Sequence, residues 1–237
     1  MSNRIDASKI KAKFDSVIAD ADITEPKLAA RLRQLSRWIK NTKPGSLTKK
    51  KLVLDLLIEV LQDAEIWLQV KNLNNEEKII YNLEAELTPS ELYWYETLFP
   101  IWFKTPDLKL AIWTRKLMAE EFPNTDSADI LGFGKEFENL TAPAFYRYIL
   151  DLSMATDILV SSSSSRPLAV QLTKSNPKVL FAKQVNWKKT LIYWSIRRGV
   201  LFSQSPSHPI RKSAKSLLGL SDSLDDGCYV MDTSENN

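Results

Sequence analysis

From Pro167 to Ser203 the chain passes through an apolar run, an amphipathic stretch of helical period and a second apolar run. Few architectures accommodate that order. Pro167-Leu168-Ala169-Val170-Gln171-Leu172-Thr173 begins as continuous hydrophobic sequence and changes to alternation at its end, which reads as a strand. Gln171 and Thr173 are two apart, so both side chains leave the same face. Asn186 to Arg198 is the most regular helix of this half, with Trp187, Leu191 and Trp194 as its apolar seam and Gly199 as its stop. Val200-Leu201-Phe202-Ser203 then returns as a strand. Strand, crossover helix and parallel strand within this length form the usual right-handed unit, whose helix covers one face of the sheet.

Upstream, three further elements lead into this unit. Gly132-Phe133-Gly134-Lys135-Glu136-Phe137-Glu138-Asn139-Leu140 reads as a helix bearing glutamate at 136 and 138. Phe145 to Asp151 favours extended structure because aromatics and isoleucine dominate it. Asp157-Ile158-Leu159-Val160 is a strand that starts on an acid, and the serine run from Ser161 to Ser165 lies where a hairpin turn is needed. The expected order is helix, three-strand meander, basic helix, strand.

The first 120 or so residues read differently. Phe14, Val17 and Ile18 make one apolar stripe at i, i+3, i+4. Pro26 suits the first turn of a helix running through Leu28, Leu32, Leu35, Trp38 and Ile39, which Lys43-Pro44-Gly45-Ser46 ends as a turn. Leu47 to Val70 is apolar densely enough around the wheel to be a buried helix, and Asn72 to Glu77 is a polar break. Thr88 or Ser90 caps a further helix that carries Tyr93, Trp94, Tyr95, Phe99, Trp102, Phe103 and Trp113, a density that favours packing over base stacking. Pro123 to Gly134 has linker composition, and the acidic stretch beyond Ser221 reads as a disordered tail. The expected class is α+β: a helical region over 1–123, an α/β core with a small mixed sheet over 132–220, and an acidic disordered tail over 221–237.

Composition narrows the chemistry. Cys228, in a polar stretch, is the only cysteine among 237 residues and excludes an internal disulfide and a cysteine-based zinc site; with His208, between Ser207 and Pro209, the only histidine, neither a Cys-His or Ser-His-Asp triad nor most transition-metal chemistry is expected. Carboxylates, amides and lysines remain. No charge-free apolar run reaches the roughly 18 residues that a membrane-spanning helix needs, and no apolar leader follows Met1, so a cytosolic location and no membrane partner are expected.

The order of parts between Gly132 and Pro206 resembles the core of the restriction-endonuclease-like superfamily, PD-(D/E)xK. The resemblance covers about seventy-five of the residues and rests on element order plus sparse polar positions. It implies a nuclease-like protein acting on nucleic acid, with DNA the first expectation and RNA left open, and with Mg²⁺ held by Asp157, the Gln171 amide oxygen and the Leu172 carbonyl. It implies a helical glutamate, with Glu138 the better match and Glu136 the fallback. Thr173 stands where the pattern puts a lysine, whose ammonium would orient the attacking water and neutralise charge. Lys174 follows it but should point to the other sheet face, so a relocated lysine is sought on the next helix, at Lys183 or Lys188.

Net charge is only +3, but its distribution is uneven. Nine basic residues fall between Lys27 and Lys51, and eleven between Arg166 and Leu220, with no acid in either stretch. Thirteen acids against six bases lie between Glu84 and Asp157. Acid-free basic surfaces suit polyanions, because lysines and arginines that pair with phosphates release condensed counterions. Lys174, Lys178, Lys188, Lys189, Arg197 and Arg198 are the expected nucleic-acid contacts, although a helix dipole also explains arginines in a last turn. Two rivals remain: a nuclease fold that has lost its chemistry and serves as a binding module, and a helical scaffold whose aromatics around Trp94 and Trp102 meet a protein partner.

Overall fold

The computed structural model describes residues 7–121, 127–162, 166–174, 177–205 and 208–233, without the side chains of 127, 128, 177 and 178. It divides into two compact units. The first comprises residues 1–87 and 99–122, and the second 88–98 and 123–237, so the segment opening at Thr88 belongs with the sheet and not with the helical region. The class is α+β, with a helical first unit and the strands in the second.

In the first unit the apolar stripes dictate the packing. Helix α1 (Ile10–Thr24) buries Phe14, Val17 and Ala21. Helix α2 (Pro26–Trp38) buries Leu28, Leu32 and Leu35. The 47–70 stretch is split: α3 (Pro44–Lys49) ends at Lys50, and α4 (Lys51–Lys71) buries Leu56, Leu57, Val60 and Leu61. Proline at the first turn of α3 starts a helix where a turn was expected. The polar break is shorter than expected too, because Asn74 caps α5 (Asn75–Glu84) in a reciprocal box with Glu77. Helices α7 (Phe99–Lys104) and α8 (Leu110–Met118) complete the unit. Arg31 is buried; its guanidinium donates to the Trp102 carbonyl at 2.9 Å and lies 5.1 Å from the Trp102 ring centre. That arginine of the first basic block is therefore a packing element, unavailable to a polyanion.

The second unit opens with α6 (Pro89–Tyr93), capped by Thr88, and a π-helical turn at Trp94–Leu98 that buries Trp94, Tyr95 and Leu98. Its sheet has the order β1-β2-β3-β4, with β1 (Ile158–Val160) antiparallel to β2 (Leu168–Thr173). Strand β3 (Gly199–Ser203) is parallel to β2, and β4 (Tyr229–Thr233) is parallel to β3. Ile158, Val160, Leu168, Val170, Val200 and Phe202 form one face, covered by Phe133 and Phe137 of α9 (Ser127–Asn139) and by Ala214 and Leu217 of α12 (Ile210–Ser223). The pleat sends the intervening residues to the opposite face. There α11 (Pro177–Tyr193) approaches so closely that a Cβ on Gly199 would lie 2.7 Å from Leu191 and 3.0 Å from Trp187.

Four expectations are corrected. The helix expected over Asn186 to Arg198 runs instead from Pro177 to Tyr193, and Ser195, at a φ of 55°, rather than Gly199 follows its end, so Arg197 and Arg198 lie in the link to β3 and not in a last turn. Phe145 makes only an isolated antiparallel bridge to Leu159, and the residues read as a strand instead form α10 (Tyr148–Met154). The helix wins because Ile149 and Ser153, and Leu150 and Met154, bury as i, i+4 pairs that strand alternation would separate. Trp194 Nε1 fixes α10 to the end of α11 by donating to the Ser153 carbonyl at 2.9 Å. Residues 222–233 are not a tail: they finish α12 and supply β4, while 234–237 lie outside the described residues. That strand is secured by Gly227, whose N–H donates to the Arg197 carbonyl at 2.7 Å from a φ of 83° that favours glycine. Finally, 127–134 lies within α9 and is not linker, while 123–126 and the serine turn at 163–165 fall outside the described residues.

Candidate functional site

Strand β1 begins one residue after Asp157, so β2 outruns its neighbour at Leu172. The Asp157 carboxylate fills that gap. Its Oδ2 accepts from the Leu172 N–H at 2.6 Å, and its Oδ1 accepts from Gln171 Nε2 at 2.9 Å. Extending the β1–β2 register by one residue sets Asp157 opposite Gln171. Thr173, two residues on, shares that face, and Lys183 Nζ donates to its Oγ1 at 2.9 Å from the second turn of α11. The acid, the amide, the hydroxyl and the ammonium thus meet at the carboxyl end of β2, next to parallel β3. Crevices outside the carboxyl ends of parallel strands are where open α/β sheets bind ligands.

Asp157 is 6% exposed. Burial raises its pKa to about 7, and the negative charge of Asp151 adds to the rise, while the Leu172 N–H, the Gln171 amide and the Lys183 charge pull it back. Asp151 lies in α10, whose end folds back into β1: the Thr156 N–H donates to the Leu150 carbonyl at 3.0 Å, with Ala155 left-handed between them. Asp151 was not among the expected site residues. The i, i+4 spacing of Leu150 and Met154 was the available signal that this segment is helical.

The remaining expected residues are dispersed. Glu138 is exposed on α9, which packs on the sheet face opposite to that of Asp157 and Gln171. Glu136, the fallback, lies on that helix half-buried, with Oε2 buried and without a hydrogen-bond partner. Lys174 leaves the far face as expected and pairs with Asp129 of α9 at 2.6 Å. Of the two candidate lysines only Lys183 reaches Thr173; Lys188 lies 5.5 Å from the Tyr229 ring centre, beside β4. Leu172 contributes its N–H to Asp157. Lys189 is exposed on α11, and the Lys178 side chain lies outside the described residues. Arg197 is exposed and 3.6 Å from Asp226, whereas Arg198 is buried with its guanidinium donating to the Leu224 and Pro167 carbonyls. Arg198 is thus a structural pin and not a phosphate contact. Trp94, Phe99 and Trp102 are fully buried, which removes them as an open partner surface.

The donor set bears on a hard cation. A buried carboxylate held near its protonation point beside a second carboxylate is in the state that a divalent ion relieves, and the Gln171 amide can turn to offer oxygen in place of nitrogen. Among the described residues no three His, Cys, Asp or Glu converge, so water and substrate oxygens would complete any coordination shell. Among those residues, too, no helix is long and apolar enough to cross a membrane. The chain matches no protein-family model, no curated protein and no solved structure.

Proposed function

We propose that this protein processes nucleic acid in the cytosol and that its second unit carries a Mg²⁺-dependent phosphodiester-cleaving site of the PD-(D/E)xK type, acting on DNA. The observation that carries this reading is the meeting of Asp157 and Gln171 with the Lys183–Thr173 pair at the end of β2. When bound, the cation would polarise the phosphate and lower the pKa of attacking water. Asp157 would hold it, with Gln171 as a neutral oxygen donor. Lys183, reaching over Thr173 from α11, takes the place of the expected strand lysine and puts its positive charge where the phosphorane gains negative charge. Lys188 and Lys189 extend the basic character along the exposed side of α11, toward the substrate backbone.

A second reading follows from Asp157 itself. Both of its oxygens are occupied by β2 donors, the arrangement of a carboxylate that merely completes a strand edge, so the unit would bind nucleic acid without cutting it. Incubating the purified chain with labelled DNA and RNA, with and without Mg²⁺ or Mn²⁺, tests both. Metal-dependent cleavage lost in Asp157→Ala with binding retained supports the nuclease. Binding without cleavage supports the second reading, and neither binding nor cleavage at low salt rejects both.

A further inference from the structure

Helix α5 is ten residues long and none of them is buried. Ile79, Ile80 and Leu83 form an apolar stripe at 61, 54 and 72% exposure. A helix shorter than about 12 residues is marginal in water even with a good cap, and takes its stability from packing. The Asn74–Glu77 capping box thus starts a helix whose apolar side no described residue of its own unit buries. The same unit offers a counterpart. At α8, Leu108 and Ile112 are 71 and 48% exposed and one turn apart, and Arg115 and Lys116 continue that stripe, both exposed. Asp107, the acid beside it, is spent on the Trp113 indole at 3.1 Å and on the Lys109 N–H at 2.9 Å.

Charge chooses between occupants. Glu76, Glu77 and Glu84 flank the α5 stripe against Lys78 alone, so two copies of α5 placed together would set acid against acid. The α8 stripe is basic. We propose that α5 of one molecule docks on the Leu108–Ile112 face of α8 in a second copy of this chain, with apolar contact at the centre and Glu–Arg or Glu–Lys pairs at the rim. Rim charges of this kind set partner and register more than affinity. The donor and receiver faces differ, so each molecule offers both, and association runs on or closes through reciprocal contacts.

Sedimentation velocity of the full chain from low to high micromolar concentration tests this. The expected result is mass that grows with concentration and a dissociation constant raised at least about tenfold by Leu83→Glu and, independently, by Ile112→Glu. Both side chains are exposed, so neither change disturbs a core. Two double variants fix the pairing. Glu76→Lys with Glu84→Lys makes both faces positive and leaves the capping box intact, Arg115→Glu with Lys116→Glu makes both negative, and each should stay monomeric alone yet associate when mixed. A monomer at every concentration overturns the proposal. So does association that survives Leu83→Glu, or that survives Ile112→Glu.

Discussion

Lys183 donates to the Thr173 hydroxyl across 2.9 Å, bringing a helical ammonium to the strand position from which the neighbouring carboxylate, Asp157, is two residues removed in register. Lys188, on the same helix five residues later, projects beside Tyr229 instead. Five residues are about 140° around an α-helix, so only one of the two lysines can overlook the end of β2.

Replacing Lys183 by methionine keeps an apolar stem of similar length and removes the charge together with its hydrogen bond to Thr173. Metal-dependent cleavage is expected to fall at least about 100-fold, the usual loss when one preorganised stabiliser of transition-state charge is removed. Lys188→Met should leave the cleavage rate essentially unchanged while weakening substrate binding at low salt. Single-turnover rates and binding titrations on the two variants separate these effects. Equal loss of rate in both would show that neither lysine acts on the reacting phosphate.

Asp157 couples the proposed chemistry to stability. Its pKa is about 7 in the folded chain and 3.8 in the absence of structure. Between those values the folded state holds a proton that the unfolded state has released, so stability declines as pH rises through that window. Asp157→Asn abolishes the dependence. The asparagine oxygen can still accept from the Leu172 N–H, and its amide can donate to a flipped Gln171. The variant is expected to be inactive, to melt higher than the parent at pH 8, and to show a flatter profile of Tm against pH between 4 and 7. A parent whose Tm rises across that interval would contradict a carboxylate whose burial outweighs its hydrogen bonds and the Lys183 charge.

Gly199 is required by closeness and not by backbone conformation. A Cβ there would meet Leu191 at 2.7 Å, Trp187 at 3.0 Å and the Ala169 carbonyl oxygen at 3.1 Å. The leucine can turn aside, but the carbonyl belongs to paired β2 and cannot. Gly199→Ala is expected to cost about 1–3 kcal/mol by overpacking, measured by urea unfolding. Since α11 would be lifted from the sheet, Lys183 would move with it, and cleavage should fall further than the loss of folded protein explains.

Which of these parts the amino-acid order discloses depends on whether a local pattern or a distant contact decides them. Strands β2 and β3 and a helix between them follow from the change of period after Thr173, but the Trp187–Leu191–Trp194 seam sets that helix at 186–198 where it runs from Pro177 to Tyr193; the pairing of Asp157 with Gln171 follows from the two-residue pleat. The 145–151 segment misleads because its aromatics carry strand preference, whereas contact with Trp194, just past the end of α11 and more than forty positions away, holds it as a helix. Strand β4 is hidden for a related reason. Asp225, Asp226 and Asp232 give it the composition of a solvated tail, and its place is set by hydrogen bonds to Arg197 and Gly199 that no local signal announces. Glu138 and Glu136 differ by two positions, about 200° of helix, and only the seat of Phe133 and Phe137 on the sheet decides which is turned outward.

Arg197 and Arg198 are adjacent in sequence and opposite in role. The Arg198 guanidinium is buried, donating to Leu224 at 2.7 Å and to Pro167 at 3.2 Å, and so ties the end of α12 to the start of β2. Arg198→Met would leave two buried carbonyls without those donors, at a cost of about 2–4 kcal/mol. Arg197 is exposed, and its pair with Asp226 at 3.6 Å is the kind of surface contact worth at most about 1 kcal/mol. Arg197→Ala should leave the urea midpoint nearly unchanged. If Arg197 contacts a phosphate, the same substitution lowers the salt dependence of nucleic-acid binding by about one counterion. A large stability loss from Arg197→Ala, with none from Arg198→Met, would reverse the assignment of pin and contact.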